Sequence, residues 1–163
     1  MMDPRELEIT ARGEREIVMT RAFAAPRSRV FEALTVPEQL TRWLGVRGGW
    51  ELAVCEVDLK PGGAYRFLWR HGRDGTEMGV RGVYREIVVP ERLVYGESFD
   101  EPWYPGEAVI TPVLAEHAGE TLLTSTLLYE SRGARDVVLG SPMEGGVSEG
   151  YEKLAQLLAW QRP

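Results

Sequence analysis

The stretch from residue 141 to residue 160 constrains the fold most, because it is the one long segment whose apolar residues follow a helical period. Ser141 suits the N-cap position, with Pro142 in the first turn and Glu144 completing a capping box. The sequence therefore predicts a closing helix that begins just after Ser141. Its apolar residues recur every three or four positions and fall on one side of the helix: Met143, Val147, Tyr151, Leu154 and Leu158.

Three glycines interrupt the first half of this helix, at Gly145, Gly146 and Gly150. Each costs about 1 kcal/mol relative to Ala in a helix interior. Two explanations remain open. Either the first turn is frayed or kinked, or the missing side chains let the helix approach a sheet or a ligand closely.

Ahead of the helix, apolar residues alternate with a period of two in seven short segments, as is typical of half-buried strands. Short turn sequences separate most of them, as antiparallel hairpins require. Two short helices, beginning at Pro26 and near Val36, follow the first strand. Pro112 indicates an edge position or a bulge for its strand, because proline cannot donate to the sheet. The predicted strands are 16–24, 50–59, 64–71, 77–88, 92–99, 107–116 and 121–130.

These elements predict an α+β fold in which a seven-stranded antiparallel sheet curves around the long C-terminal helix. The length of 163 residues suits a single domain, 1–163, with residues 1–15 as a polar N-terminal extension. The space between the sheet and the helix is then either packed core or a cavity. Sequence periodicity alone does not distinguish the two.

Charge and composition disfavour several classes of protein. The chain has 25 acidic and 19 basic residues, so its net charge of −6 argues against nucleic acid as a partner. The start, MMDPRELEITARGERE, is polar and has no apolar core, so we expect no signal peptide. No segment approaches the ~20 apolar residues that span a bilayer, so we expect no membrane insertion. Cys55 is the single cysteine, which excludes an internal disulfide and favours a cytoplasmic location.

Four segments of the chain carry a family resemblance: PRSRVFEALTVPEQLTRWLG, CEVDLKPGGAYRF, GVYREIVVPERLVY and PMEGGVSEGYEKLAQLL. They resemble the bacterial branch of the activator of heat-shock protein 90 ATPase homologue family, which belongs to the START-like or SRPBCC superfamily. The block from Asp58 to Gly63 is the most specific, and the resemblance runs from about Glu16 to Leu158. It implies a helix-grip (START-like) fold with a deep apolar pocket between the sheet and the closing helix.

Two positions depart from the family pattern. Val147 stands where the family usually has Trp, and Gly150 stands where Ser or Ala is commoner. Both changes remove side-chain volume and therefore bear on the size of the pocket. The resemblance does not fix an activity, because the superfamily binds hydrophobic small molecules whereas the eukaryotic namesake is a co-chaperone.

The candidate lining of the pocket is aromatic, because large side chains alternate in phase on neighbouring strands. The same residues also suit a filled core, and a register shift of one residue would turn the whole set to the other face. The candidate ligand-binding residues are Trp43, Tyr65, Phe67, Trp69, Met78, Val80, Tyr84, Tyr95, Glu97, Phe99, Met143, Val147 and Tyr151.

Candidates for catalysis are few. Glu97 alternates in phase with Tyr95, so on an inward face its pKa would rise and it could act as an acid or base. A position near the mouth or on the outer face is the favoured alternative. His71 and His117 lie in turns and, with Cys55, make no ligand set for zinc and no thiol–histidine pair. We therefore assign no catalytic residue, no metal and no cofactor.

Three functions are consistent with the sequence. The preferred one is binding of a hydrophobic small molecule without catalysis. A co-chaperone-like interaction module, with a chaperone ATPase as a less favoured partner, needs an exposed patch such as Trp50, Trp103 and Tyr104. The third is a small cyclase- or dehydratase-type enzyme for an aromatic or polyketide-like substrate. A homodimer is left open, since the strand with Pro112 could be free or covered by a second copy.

Overall fold

The computed structural model describes residues 4–160, which form nine strands and four helices. The strands are β1 (Glu8–Arg12), β2 (Glu16–Phe23), β3 (Val46–Arg47), β4 (Trp50–Val57), β5 (Ala64–His71), β6 (Glu77–Val88), β7 (Arg92–Phe99), β8 (Ala108–His117) and β9 (Glu120–Leu128). The helices are α1 (Arg27–Thr35), α2 (Pro37–Leu44), α3 (Arg132–Leu139) and α4 (Met143–Trp160). The α+β class and the element order predicted from the sequence are confirmed.

All nine strands join one antiparallel sheet in the order β1-β2-β9-β8-β7-β6-β5-β4-β3. The predicted count of seven strands is therefore wrong, because the sheet has one further short strand at each edge. β1 lies inside the stretch that we expected to be a polar extension, and it pairs Ile9 with Met19. β3 pairs only two residues with β4. β1 is mostly exposed and β3 is only two residues long, so neither has an alternating apolar pattern that would reveal a strand in the sequence.

The predicted edge position of Pro112 is also wrong. β8 lies inside the sheet between β7 and β9, and Pro112 is buried opposite Ser125. On the other side, the pairing with β7 passes from Val113 to Ile110. The ladder is interrupted around Pro112, and this interruption accommodates the missing backbone donor.

The closing helix begins two residues later than the predicted cap at Ser141. The Ser141 hydroxyl donates to the carbonyl of Val138 at 2.5 Å, so it serves the end of α3. α3 itself is a full helix over 132–139, capped by Ser131, whose hydroxyl accepts from the N–H of Ala134 at 3.1 Å.

The main core lies between the middle of the sheet and the second half of α4. Leu154 and Leu158 of α4 are fully buried against Phe23, Leu114 and Leu123 of the strands. The short helices α1 and α2 contribute to the same cluster through Val30, Phe31, Leu40 and Trp43. Burial of such side chains contributes about 1.5–3 kcal/mol each, so this contact fixes α4 on the sheet.

Two bulges bend the sheet. The register shifts between Leu52 and Val54 in the pairing of β4 with β5, and between Tyr84 and Glu86 in the pairing of β6 with β7. Such bulges increase the local twist, and they help to form a concave face that receives the helices. Among residues 4–160, no helix has both the length and the apolar character that crossing a membrane would require.

Candidate functional site

Two neighbouring cavities lie between the concave face of the sheet and the helices. The first has a volume of about 530 Å3 and the second about 300 Å3. Both volumes fall within the range typical of small-molecule sites, about 300–1,000 Å3. The exposed fractions of Met78 in the first cavity and Trp103 in the second are 38% and 42%, so each cavity has an open rim.

An aromatic wall closes the sheet side of the first cavity. Tyr65, Phe67 and Trp69 alternate along β5, with ring centroids 5.3 and 6.0 Å apart between successive rings. Tyr84 of β6 lies 5.6 Å from Tyr65, and Tyr95 of β7 lies 5.4 Å from it. These edge-on and tilted contacts hold the rings against one another, so the wall is rigid.

A glycine makes this wall possible. Gly82 pairs with Tyr65 across β5 and β6, and a Cβ at Gly82 would lie 1.8 Å from the carbonyl oxygen of Gly96 and 2.7 Å from the Tyr65 ring. Without that Cβ, the Tyr65 ring lies across β6 and its hydroxyl donates to the carbonyl of Gly96 at 2.8 Å. The phenol is thereby fixed by a buried hydrogen bond as well as by ring contacts.

The short helices form the opposite wall of the first cavity. The indole N–H of Trp43 in α2 donates to the carbonyl of Ala33 at 2.8 Å, and that of Trp69 donates to the carbonyl of Leu44 at 3.0 Å. Each indole ring is therefore held by one hydrogen bond to a backbone carbonyl. Trp50 stands at the edge of this cavity, where its ring packs edge-on against His71 at 5.1 Å.

The first half of α4 lines the second cavity. Met143, Val147 and Tyr151 face it, together with Gly146 and Gly150. The helix continues through these glycines without a break, so the close-approach explanation describes them better than a frayed turn. Because two of the lining positions carry no side chain, the helix backbone itself forms part of the wall.

The two cavities meet at five shared residues. They share two residues of α2 and three alternating residues of β7: Trp43, Leu44, Tyr95, Glu97 and Phe99. The junction is apolar except for the carboxylate of Glu97 and the hydroxyl of Tyr95. A molecule that extended from one cavity into the other would pass Glu97.

Glu97 lines both cavities at their junction, whereas we favoured a position near the mouth or on the outer face. Burial raises the pKa of its carboxyl from 4.5 to about 7. Among the described residues, Glu97 makes no hydrogen bond or ion pair, and its oxygens are not among the fully enclosed polar atoms that lack a partner. Its carboxylate therefore faces the cavity rather than a protein partner.

Tyrosines surround Glu97 on several sides. Burial raises the pKa of Tyr65, Tyr95, Tyr104 and Tyr129, and the nearby charge of Glu97 raises each of them further. All four phenols therefore stay protonated at neutral pH. The hydroxyl of Tyr104 is fully enclosed and has no hydrogen-bond partner among the described residues. Its ring packs edge-on against Tyr129, 5.3 Å away.

Tyr151 connects α4 with the junction. Its ring lies 5.7 Å from Phe23 and 6.3 Å from Trp43. Burial raises the pKa of its phenol, whereas a hydrogen bond with Ser125 and the nearby charge of Arg21 lower it. Arg21 is itself occupied, since it donates to Glu152 at 2.8 Å and to the carbonyl of Ala22 at 2.8 Å.

The structure brings the thirteen predicted lining residues together around these cavities. Met143, Val147 and Tyr151 line the second cavity alone, and Trp43, Tyr95, Glu97 and Phe99 line both. The remaining residues of the prediction line the first: Tyr65, Phe67, Trp69, Met78, Val80 and Tyr84. The inward parity of β5, β6 and β7, which the sequence left open, is thereby settled.

Sequence reasoning missed other lining residues, which are ordinary core residues by type and spacing. In the first cavity these are Leu34, Leu40, Leu44, Leu93 and Pro112. In the second they include Met19, Ile110, Ser125, Leu127, Tyr129 and Val138. For the residues of β8 and β9, the signal would have been which alternate side chains face the helices. That could be decided only once the order of the strands in the sheet was known.

The exposed patch that a co-chaperone-like module would need is not formed. Tyr104 is only 6% exposed and Trp50 is half-buried in the wall of the first cavity, so the two do not join Trp103 in an interaction patch. His71 lies outside both cavities and accepts from the N–H of Arg73 at 3.2 Å. Across the described residues, no three His, Cys, Asp or Glu side chains are grouped so as to hold a metal.

Comparisons with known proteins agree with this architecture. The family model described as activator of Hsp90 ATPase homolog 1-like protein matches residues 24–159. A protein from Rhodobacter sphaeroides of known crystal structure is 32% identical, with a TM-score of 0.88 over 95% of this chain and 99% of that one. Protein CV1439 from Chromobacterium violaceum is 29% identical, with a TM-score of 0.74 over 88% of this chain and 96% of that one.

A more distant structure shows the same fold. DynU16, a protein in the dynemicin biosynthetic locus, is 20% identical with a TM-score of 0.66, over 93% of this chain and 49% of that one. At this identity the likeness concerns the fold alone. No curated protein matches the chain.

Apart from Met19, the matched segment contains every residue that lines the two cavities. The resemblance first seen in the sequence is thus confirmed over most of its length. The chain belongs to the family of activator of Hsp90 ATPase homolog 1-like proteins.

Proposed function

We propose that this protein binds an apolar small molecule in the two adjoining cavities, without a covalent step. The observation that carries the proposal is the first cavity, about 530 Å3 between an aromatic sheet wall and α2. Protein interiors are normally close-packed, and voids larger than a water molecule are few. A hollow of this size, lined mainly by aromatic and aliphatic side chains, is suited to a guest molecule.

The walls of the first cavity are fixed and cannot readily collapse into it. Tyr65, Trp43 and Trp69 are each held by a hydrogen bond to a backbone carbonyl. Moving any of them inward would leave a buried donor without a partner, at a cost of about 1–3 kcal/mol. We therefore assign the thirteen sequence-predicted lining residues as the ligand contacts.

Titration with Nile red, which fluoresces in apolar surroundings and has no hydrogen-bond donor, tests the proposal. The full chain is expected to bind the dye with a saturable fluorescence increase. Val80→Phe, which fills the first cavity from β6, should weaken binding about tenfold or more. Val83→Phe on the same strand is the matched control, because Val83 faces outward and is 47% exposed.

Two results would contradict the proposal. One is the absence of saturable binding by the unaltered chain. The other is an equal effect of Val80→Phe and Val83→Phe, which would place the dye on the surface. Circular dichroism and thermal melting of both variants separate a loss of binding from a loss of folding.

Proton transfer by Glu97 is a second candidate function, in line with the enzyme alternative drawn from the sequence. A carboxyl with a pKa of about 7 that faces a cavity lined mainly by apolar side chains is well matched to acid–base catalysis near neutral pH. Hydrogen–deuterium exchange at the carbon next to the carbonyl of 2-tetralone, followed by NMR, measures it directly. Acceleration that is lost in Glu97→Gln supports this function, whereas equal rates in the two proteins exclude Glu97 as the base.

A further inference from the structure

We propose that the preferred ligand carries a hydrogen-bond donor that bonds to the Glu97 carboxylate where the two cavities meet, and that anions of the same shape are rejected. This inference rests on the proposed binding function and specifies its ligand class. The ligand is thus an apolar, ring-containing molecule with a hydroxyl or amine group, and it is neither a fatty acid nor another carboxylate.

The charge of the cavity walls supports the exclusion of anions. Among the described residues that line the two cavities, Glu97 is the one charged side chain, and no Lys, Arg or His lines either cavity. Arg21 is the nearby cation that acts on Tyr151, but its guanidinium is occupied by Glu152 and by a backbone carbonyl. An anionic ligand would therefore meet a carboxylate in a low-dielectric site with no compensating cation.

The lack of a hydrogen-bond partner for Glu97 supports the need for a donor on the ligand. A buried acceptor without a partner costs about 1–3 kcal/mol, and more when it is charged. The carboxylate of Glu97 has accessible surface in the cavity and no hydrogen bond to any described residue. A donor on the ligand would restore that bond, whereas a donor-free ligand would cover the carboxylate and leave it unpaired.

The groups that face Glu97 do not supply the missing donor. Tyr65 already donates to Gly96, and neither Tyr151 nor Ser125 makes a hydrogen bond to Glu97. Tyr95, Tyr104 and Tyr129 are neutral phenols near the carboxylate, with no hydrogen bond to it. Glu107, which acts on Tyr104, is paired with Arg85 at 2.7 Å. Across neutral pH, Glu97 is therefore the group at the junction whose charge changes.

A series of naphthalene probes isolates the donor from shape. 2-Naphthol carries a donor, 2-methoxynaphthalene has nearly the same shape without one, and 2-naphthoate is an anion. Isothermal titration of the full chain at pH 8 should give about tenfold tighter binding of naphthol than of the ether. Naphthoate should bind more weakly than either. 2-Naphthylmethylamine is cationic at this pH. Its affinity relative to that of naphthol shows whether an amine or a hydroxyl is the preferred donor.

Three variants test whether Glu97 is responsible. Glu97→Leu should bind naphthol and the ether with nearly equal affinity. Glu97→Gln should bring naphthoate close to the affinity of the ether. Glu107→Gln is the matched control, because Glu107 lies over Gly96 next to Glu97 but on the other face of the sheet. Its selectivity should equal that of the unaltered chain.

The pH dependence adds an independent readout. Naphthoate stays ionised between pH 6 and pH 8, so its affinity for the unaltered chain should fall as Glu97 loses its proton, with a midpoint near pH 7. The affinity for Glu97→Gln should be flat over the same range. A flat profile in the unaltered chain would overturn the anion rejection.

The outcomes separate the two proposals. If naphthol and the ether bind equally well to the unaltered chain, the donor inference is overturned while the binding function stands. The same holds if both preferences persist in Glu97→Leu and Glu97→Gln. If none of the probes binds, including Nile red, the proposed function fails and this inference fails with it.

Discussion

The two halves of α4 contact the sheet in opposite ways. In the second half, Leu154 and Leu158 are 0% and 1% exposed and belong to the main core. In the first half, Met143 and Val147 are only half-buried and line a cavity of about 300 Å3. Both halves carry the same apolar spacing, so the difference lies in side-chain volume. Gly146, Gly150 and Val147 leave open the space that leucines fill farther along the helix.

Truncation should separate the two halves by the largest effect. Leu154→Ala is expected to lower the free energy of unfolding by about 3 kcal/mol, because it opens a cavity in a closely packed region. Val147→Ala should cost less than about 1 kcal/mol, since its side chain already borders a cavity. Urea denaturation followed by circular dichroism measures both. Equal losses would mean that the first half is as well packed as the second.

Enlargement should give the opposite order. Val147→Trp is expected to stabilise the fold by about 1 kcal/mol, because the indole fills part of the second cavity. Leu157→Trp is the counterpart in the packed half, and overpacking should cost about 2 kcal/mol there. Thermal melting of the two variants gives the comparison. Destabilisation by both would indicate that the second cavity does not accept a side chain of this size.

Glu97 provides a test that depends on pH, because its carboxyl lies beside the two cavities and burial raises its pKa. Its pKa of about 7 in the folded chain lies above the ordinary 4.5, so the folded state keeps the proton that the unfolded state releases. The stabilising contribution is complete below pH 4.5 and is lost as the pH rises through 7. Glu97→Gln should therefore gain about 1–2 kcal/mol relative to the unaltered chain between pH 5 and pH 8.

The control for this measurement is Glu107→Gln, whose difference from the unaltered chain should not follow the same curve. Denaturant melts at pH 5, 6, 7 and 8 suffice. A Glu97→Gln difference that stays constant over this range would show that the carboxylate is solvated in the folded chain. The hollow at the junction would then be wetter than its lining indicates.

The smallest expected effects concern the two serines at the ends of α3, just before the half of α4 that lines the second cavity. Ser131→Ala removes the hydroxyl that caps α3 and should cost about 1 kcal/mol. Ser141→Ala should cost only a few tenths of that value, because the Ser141 hydroxyl donates to a carbonyl of α3 and does not cap α4. Parallel urea melts compare the two. A larger loss for Ser141→Ala would restore the capping box read from the sequence.

Much of the fold could be predicted from local patterns. Alternating apolar residues and turn sequences located seven strands, and the two short helices were predicted to begin at Pro26 and near Val36. β1 and β3 were not predicted, because β1 is mostly exposed and β3 pairs only two residues. The edge position predicted for Pro112 was wrong, because an interrupted ladder between β7 and β8 accommodates the proline inside the sheet. Such an interruption depends on tertiary structure and cannot be seen in the sequence.

The candidate site was predictable in one wall and not in the other. The sheet wall was visible because aromatic residues repeat at every second position of β5, and because Tyr95 and Phe99 share one face of β7. The leucines of α2 and the residues of β8 and β9 carry no such signal, since a core and a cavity use the same residue types. Whether their faces meet or stay apart depends on backbone placement. Val147 and Gly150 were the one local hint that volume was missing.

Gly82 limits how this protein could change its ligand. Because any larger residue there would collide with Gly96 and Tyr65, the sheet side offers little freedom for variation. Adaptation to a new guest would have to come from α2 and the front of α4, whose side chains border open space. Libraries aimed at new recognition should hold the strands constant and randomise those two helical surfaces.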